Sequence, residues 1–258
     1  MIPSLPADFG LTADDFARYR AGFPESLFDR LAAFGIGRPG QMVVDVGTGT
    51  GTLARGFARR GCRVTGIDPA EPLLEKARAL DAVFGVQVDY RLGVAEASGL
   101  PEACAAVVSA GQCWHWFDRP HAAQEARRLL QPGGKIVIAH FDWLPLKGSL
   151  VEATEALILQ HNPRWNLAGG CGIYPAWFSD LSEAGFTEIE SFSYDVAASY
   201  TPLAWRGRIR ASAGVGASLP PESVQRFDAD LERLLAERFP GPELAVPHRV
   251  FAVLAVRP

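Results

Sequence analysis

The run Val43-Val44-Asp45-Val46-Gly47-Thr48-Gly49-Thr50-Gly51 constrains this chain more than any other stretch. An apolar strand gives way to three glycines at alternate positions, and a helical segment follows. Glycine has no Cβ, so it enters left-handed backbone freely and lets other atoms come close to the amides. A turn of this nucleotide-binding type needs its strand inside a sheet and its helix packed on that sheet. The Gly-Lys-Ser/Thr ending of a phosphate-binding loop is missing, so triphosphate hydrolysis has no support. Gly49, Gly51 and Ala54 satisfy the relaxed G-x-G-x-x-A form, and Asp68 follows about 20 residues later, where a ribose-binding acid belongs. On the turn alone, a dinucleotide site stays open.

The same alternation runs through the first half of the chain. A helical face of Leu27, Phe28, Leu31 and Phe34 is stopped by Gly35 and Gly37 ahead of the strand Met42 to Val46. A helix to about Arg60, a strand Arg63 to Ile67, a helix Pro72 to Leu80 and a strand Val86 to Arg91 come next. A strand Ala106 to Ala110, a helix Pro120 to Leu130 halted by Gln131-Pro132-Gly133-Gly134, and a strand Ile136 to Ala139 complete the series. Strands alternating with helices predict a parallel sheet. Beyond Trp143 the rhythm changes: Leu150 to Gln160 reads as helix, while Asn162 to Tyr174 has neither period and reads as an inserted lid. The tail predicts a helix over Ala176 to Glu183, alternating apolar positions at Ile189, Phe192 and Tyr194, two more helices and a last strand, Val250 to Val256.

Bulk properties remove several function classes. Over 258 residues, 48% hydrophobic and 21% charged composition suits a single globular domain with a full core. The formal net charge is -4 and the only lysines are Lys76, Lys135 and Lys147, so the basic excess that nucleic acid requires is missing. No apolar run is long enough to span a bilayer, and MIPSLPADFG has no basic stretch leading into an apolar core; the expectation is a cytoplasmic protein without a membrane partner. Cys62, Cys104, Cys113 and Cys171 have neither paired nor zinc-ligand spacing and read as free thiols, with no metal implied.

Asp45, the glycines, Asp68 after Gly66-Ile67, Ala95-Glu96 and Leu129-Leu130-Gln131-Pro132-Gly133-Gly134 occur in one order and spacing. In these residues the chain resembles the class I methyltransferases dependent on S-adenosylmethionine, specifically the small-molecule branch that includes ubiquinone-pathway and trans-aconitate methyltransferases. The resemblance covers roughly residues 14 to 145. It implies that Gly47, Thr48, Gly49 and Gly51 let the methionine moiety of S-adenosylmethionine lie on the turn, with Asp45 as polar neighbour. It implies further that Asp68 holds both ribose hydroxyls and that Ala95-Glu96 flanks the adenine. The loop after the fourth strand, Ala110 to Asp118 with Trp114, His115 and Trp116, is implied to line the methyl-transfer cleft. Arg18-Tyr19-Arg20 is similar to an N-terminal segment that folds over the cofactor.

Periodicity and resemblance together predict an α/β protein: a doubly wound, Rossmann-like sheet of seven strands, mostly parallel with one antiparallel, plus an inserted helical lid. The expected division of this single domain is 1–40 for capping helices, 41–145 for the cofactor half, 146–217 for the lid and substrate-facing insertions, and 218–258 for the closing helix and strand.

Several side chains admit two readings. Asp68 also suits a helix cap before Pro69-Ala70-Glu71. His115 is either a packed histidine or the general base that a hydroxyl or amine acceptor would need. His140 is a substrate contact or, with Asp142, a hydrogen-bonded core pair. Trp143 and Trp165 are substrate contacts or apolar bulk. Arg208, between Arg206 and Arg210, is either part of a solvated face or a clamp for a substrate carboxylate. The expected activity is methyl transfer to a small molecule by a monomer or homodimer. A nicotinamide-dependent oxidoreductase is the alternative, opposed by the lack of any Tyr followed four positions later by Lys. A non-catalytic cofactor-binding protein is the third reading.

Overall fold

The computed structural model describes Asp15, Arg18, Tyr19 and residues 21–258. Its elements in chain order are α1 (Glu25–Ala33), β1 (Met42–Val46), α2 (Thr52–Arg59), β2 (Arg63–Asp68), α3 (Glu71–Phe84), β3 (Asp89–Leu92), β4 (Ala105–Gly111), a 3-10 turn (Trp114–Trp116), α4 (Arg119–Leu129), β5 (Leu130–Trp143), α5 (Leu150–His161), α6 (Ala176–Glu183), β6 (Thr187–Tyr200), α7 (Pro202–Arg210), α8 (Pro221–Arg238) and β7 (Leu244–Val256). The chain divides into two compact units, each assembled from separate stretches. The turn-bearing unit comprises Gly22–Phe141, Tyr174–Ser193 and Val250–Pro258, and the helical unit comprises Met1–Ala21, Asp142–Ile173 and Tyr194–Arg249. Residues 174–193, inside the stretch read as a lid, belong to the turn-bearing unit.

The seven strands form one sheet in the order β3-β2-β1-β4-β5-β7-β6. β1 is central. It pairs in parallel with β2 from Met42↔Arg63 to Val46↔Ile67, and with β4 at Val43↔Val107, Val44↔Val108 and Asp45↔Ser109. β3 on β2 and β5 on β4 are also parallel. β7 runs the other way: Gly133 N–H donates to the Arg257 carbonyl and Arg257 N–H to that of Gly134, while Leu144 N–H donates to that of Pro247. Rising numbers on β5 meet falling numbers on β7, which is antiparallel pairing. Seven strands, mostly parallel, is the architecture that the periodicity predicts.

Val43, Val46, Val107, Val108, Ile136, Val137 and Ile138 are at most 2% exposed. β-branched runs of this kind stabilise a sheet covered on both faces, each buried side chain contributing about 1.5–3 kcal/mol. Strand order departs in opposite directions from β1, toward β2 on one side and β4 on the other. That switch point opens a crevice at the carboxyl ends of the strands, where ligands of open α/β sheets bind.

β5 begins at Leu130 and runs through Gln131 to Gly134, where the sequence predicts a stop. The exchange of hydrogen bonds with Arg257 explains this: the end of β7 supplies partners for the Gly-Gly backbone, and the register shift between Ala105 and Val107 on β4 absorbs the irregularity. β3 is shorter than predicted, and β6 and β7 are longer.

In the helical unit, Trp165, Tyr200, Trp205, Ile209, Phe227 and Leu231 share one core. Arg206 and Arg210 of α7 both bind Asp228 of α8, at 2.5 and 2.8 Å, and Arg210 also reaches Asp15 at 2.8 Å. The segment 162–174 forms neither helix nor strand, as predicted. Glu155 ties it down, accepting from Gly169 N–H and from Trp143 Nε1–H, each at 2.8 Å. Among the described residues, no helix is long and apolar enough to cross a membrane and no cluster of His, Cys, Asp or Glu could hold a metal ion.

Candidate active site

The turn after β1 places Gly47, Gly49 and Gly51 at φ of +64°, +57° and +76°, the left-handed region that L side chains avoid. Their need for glycine is met by the protein itself at two of the three positions. A Cβ on Gly51 would lie 2.1 Å from Tyr90 Oη, and one on Gly47 would lie 2.7 Å from Phe117 Cζ and 2.8 Å from Cys113 Sγ. The space that the sequence reading reserved for a ligand is therefore filled there by β3 and by the loop after β4. Three of the turn's amides are also engaged: Thr48 N–H donates to Ile67 O, Gly49 N–H to Asp68 Oδ2 and Gly51 N–H to Thr48 O.

Two buried carboxylates flank the turn, one bonded to side-chain hydroxyls and the other to backbone amides. Asp45 points inward, 1% exposed, with Oδ2 accepting from Thr48 Oγ1–H and Oδ1 from Ser109 Oγ–H, both at 2.6 Å. Burial raises its pKa from 3.8 to about 6, against the pull of these two bonds. Asp45 and Thr48, read from the sequence as cofactor contacts, spend their side-chain polar groups on each other beneath the turn. Asp68 stands at the carboxyl end of β2. Its Oδ2 accepts from Gly49 N–H at 2.8 Å and its Oδ1 from Ala70 N–H at 2.9 Å. Burial pushes its pKa above the ordinary carboxylate value while the two amides pull it back. The expected helix cap is not made: Ala70 holds the N-cap position of α3 and no side chain caps that helix, so Asp68 is tied only to the residue before it. A carboxylate has room for about four acceptor contacts, so two remain.

The loops beyond β3 and β4 meet through Glu96, whose Oε1 accepts from Asp118 N–H at 2.8 Å; Ala95 beside it is buried. Ala110 has no exposed surface and pairs with Ile138 within the sheet. Just past β4, Gln112 holds a φ of +60° with its amide donating to Ala139 O, a backbone state a non-glycine residue adopts at a cost of about 1 kcal/mol or more. Trp114 is fully buried and its Nε1–H donates to Asp180 Oδ2 at 3.0 Å. Trp114, read from the sequence as lining the cleft, thereby locks α6 to the loop. His115 packs against Trp116 and His140, ring centroids 4.7 and 5.1 Å apart, and the buried His140 packs on Tyr174 and Trp177 at 4.6 and 5.3 Å. His115, Trp116 and His140 are thus brought together on one side of the turn-bearing unit.

The remaining expected residues lie in the helical unit. Tyr19 packs on α7, where a Cβ on Gly207 would come within 2.1 Å of its ring; Arg20 lies outside the described residues. Trp143 and Arg208 stack on each other at 4.8 Å, and Trp165 joins the core of that unit.

The sequence reading missed a buried network beneath the turn. Arg55 Nε donates to Asp81 Oδ1 at 2.7 Å and its Nη2 to Thr50 O at 2.8 Å, so α2, α3 and the turn are tied by one guanidinium. Tyr90 stands beside this pair, and burial together with Asp81 holds its phenol proton tightly. The one available signal was an arginine on the apolar face of α2, between Leu53 and Phe57. Ser109 was legible as the lone polar residue within Val107 to Ala110.

Residues 44–138 match the family model described as "Methyltransferase domain", so the turn, Asp68, Glu96 and the loop after β4 all fall inside a methyltransferase-type segment. An uncharacterized methyltransferase of Mycobacterium tuberculosis is 33% identical over 132 residues, 51% of each chain. A ubiquinone biosynthesis O-methyltransferase of Pseudomonas paraeruginosa is 35% identical over 130 residues, 50% of this chain and 56% of that one. The chain spans about half the length of these curated relatives. Among solved structures, a Haemonchus contortus phosphoethanolamine N-methyltransferase 2 in complex with S-adenosyl-L-methionine has a TM-score of 0.56 at 21% identity, covering 97% of this chain and 56% of that one. The YcgJ protein of Bacillus subtilis has a TM-score of 0.58 at 15% identity, covering 91% and 99%. These two likenesses concern the fold.

Two predictions follow from the carboxylate and glycine geometry. Gly51→Ala should destabilise the protein by about 2–4 kcal/mol in urea unfolding, from left-handed backbone plus the clash with Tyr90 Oη. Adding Tyr90→Phe should recover part of that loss, and strictly additive losses would refute the contact. Asp45 has a folded pKa above its unfolded one, so its stabilising contribution is fully present below the unfolded value of 3.8 and is lost as pH rises through about 6. Asp45→Asn lacks this loss, and the stability difference between variant and parent should shift by about 3 kcal/mol in the variant's favour between about pH 3 and about pH 7. A difference that stays constant with pH would show that the carboxyl titrates normally.

Proposed function

We propose that this protein transfers a methyl group from S-adenosylmethionine to a small organic acceptor. Asp68 carries the reading: a carboxylate at the end of β2, held by the Gly49 and Ala70 amides, with acceptor capacity left for two vicinal hydroxyls. Its place beside a glycine turn at the switch point of the sheet fits a nucleoside, and the methyltransferase match over residues 44–138 favours this donor over a nicotinamide.

When bound, the cofactor supplies an electrophilic methyl group on a sulfonium. Asp68 takes the ribose diol. Ala95 and Glu96 border the adenine, with Glu96 fixing the loop after β4 through Asp118 N–H. The inward Asp45 and Thr48 hold the turn in shape from below. His115, packed at a tilt against Trp116, serves as the base for a hydroxyl or amine acceptor; a carboxylate acceptor needs no base. No nucleophilic side chain is required, because orientation and exclusion of water supply the rate. The same reading has the protein acting in the cytoplasm on a small molecule, as a monomer or homodimer.

Isothermal titration tests it. Wild-type protein should bind S-adenosylhomocysteine and give no heat with NADH, and Asp68→Asn should weaken the former by about tenfold to a hundredfold. Tight NADH binding, or undiminished affinity in Asp68→Asn, would overturn the proposal.

A further inference from the structure

α7 carries three arginines at alternate positions, and they meet different fates. Arg206 and Arg210, four residues apart, share one helix face and bind Asp228 of α8. Arg206 adds Glu232 and Arg210 adds Asp15. Arg208 points elsewhere. It is 9% exposed, as buried as the aliphatic residues around it, yet it forms no ion pair within 4 Å among the described residues. Its guanidinium lies over the Trp143 ring, 4.8 Å from the centroid. Burial works against its charge, Asp142 acts on it only through space, and the Tyr200 phenol lies alongside.

A buried cation whose opposite charge on Asp142 acts only through space is costly to keep, and charged residues are almost never fully buried unless paired. The surroundings are built to keep it in place. Trp143 is fixed by its bond to Glu155, which also anchors Gly169, so the indole under the guanidinium cannot swing away. Glu155 has both oxygens occupied in that task. His248, next to Arg208, donates from Nδ1 to Val246 O at 2.9 Å, and burial lowers its pKa to about 4; it is neutral near pH 7 and adds no second charge. Tyr200 is 5% exposed, and its Oη has no well-aligned hydrogen-bond partner.

We infer that Arg208 and Tyr200 form a binding site for the single carboxylate group of a small organic acid. The charge count selects the class: one guanidinium, partly offset through space by Asp142, with its two neighbouring arginines already neutralised and its histidine neighbour uncharged, matches a monoanion better than a phosphate dianion. A planar guanidinium accepts a carboxylate through two parallel bonds, and the phenol hydroxyl supplies a further donor.

The test uses benzoate and benzamide, equal in shape and different in charge, titrated into the full-length protein with and without saturating S-adenosylhomocysteine. Wild type should prefer benzoate by about tenfold or more. Arg208→Gln should bring the two ligands to within about twofold while leaving S-adenosylhomocysteine affinity unchanged, and Tyr200→Phe should cut the preference by about threefold. No preference in wild type, or a preference that survives Arg208→Gln, overturns the inference. So does a parallel fall in S-adenosylhomocysteine affinity, because Arg208 would then serve the donor. If Arg208→Gln shows no cooperative melt, Tyr200→Phe decides, and an unchanged preference in that variant overturns the site. A wild type that binds benzoate selectively but not S-adenosylhomocysteine keeps the anion site and removes the methyltransferase reading instead.

Discussion

The Asp68 carboxylate is the interaction on which the candidate site depends. One oxygen receives the Gly49 amide and the other the Ala70 amide, so a single side chain joins the glycine turn to the first residues before α3. An amide pair fixes the plane of the carboxylate and leaves its remaining lone pairs directed by the backbone, not by rotamer preference. Rigid placement by the two amides leaves little side-chain freedom to lose when a ligand arrives.

Around that carboxylate, the protein separates functions that look alike in the sequence. Asp45 and Asp68 both flank the glycines, yet Asp45 is turned inward onto Thr48 and Ser109 while Asp68 faces the turn. Environment separates them: two hydroxyl donors and nearly complete burial make Asp45 a brace, and backbone amides at a strand end hold the Asp68 carboxylate in place. Arg55 and Asp81 extend the brace, so the turn is also held by a buried ion pair. In the helical unit the contrast repeats, with Arg206 and Arg210 serving structure and Arg208 left over.

The sheet was largely legible because its strands are near-continuous Val and Ile runs separated by glycine stops, and burial on both faces enforces such runs. Gln131 to Gly134 misled, since local turn chemistry was overridden by a partner strand more than 100 residues away. The spacing put Asp68 at the end of β2 and Glu96 in the loop beyond β3, where the structure has them, but not the Gly49 and Asp118 amides that they bind. Trp114 was not, because an aromatic residue in a loop after a strand reads as a ligand contact until its indole N–H is found on Asp180. The glycines were found for one reason and are needed for another: Tyr90, Phe117 and Cys113 occupy the volumes that a Cβ would take at Gly51 and Gly47. Long-range packing of this kind leaves no local mark in a single sequence. The isolation of Arg208 was equally hidden, since its neighbours' partners lie on α8 and near the amino terminus.

The most direct measurement compares binding of S-adenosylhomocysteine with that of its 2′-deoxy analogue, in wild type and in Asp68→Asn. A carboxylate gripping the ribose diol predicts a loss of about tenfold or more for the deoxy ligand in wild type and a much smaller one in the variant. Equal affinities for the two ligands in wild type would contradict it, leaving Asp68 as a tie between the glycine turn and the residues before α3, and the nucleoside to be held by other groups.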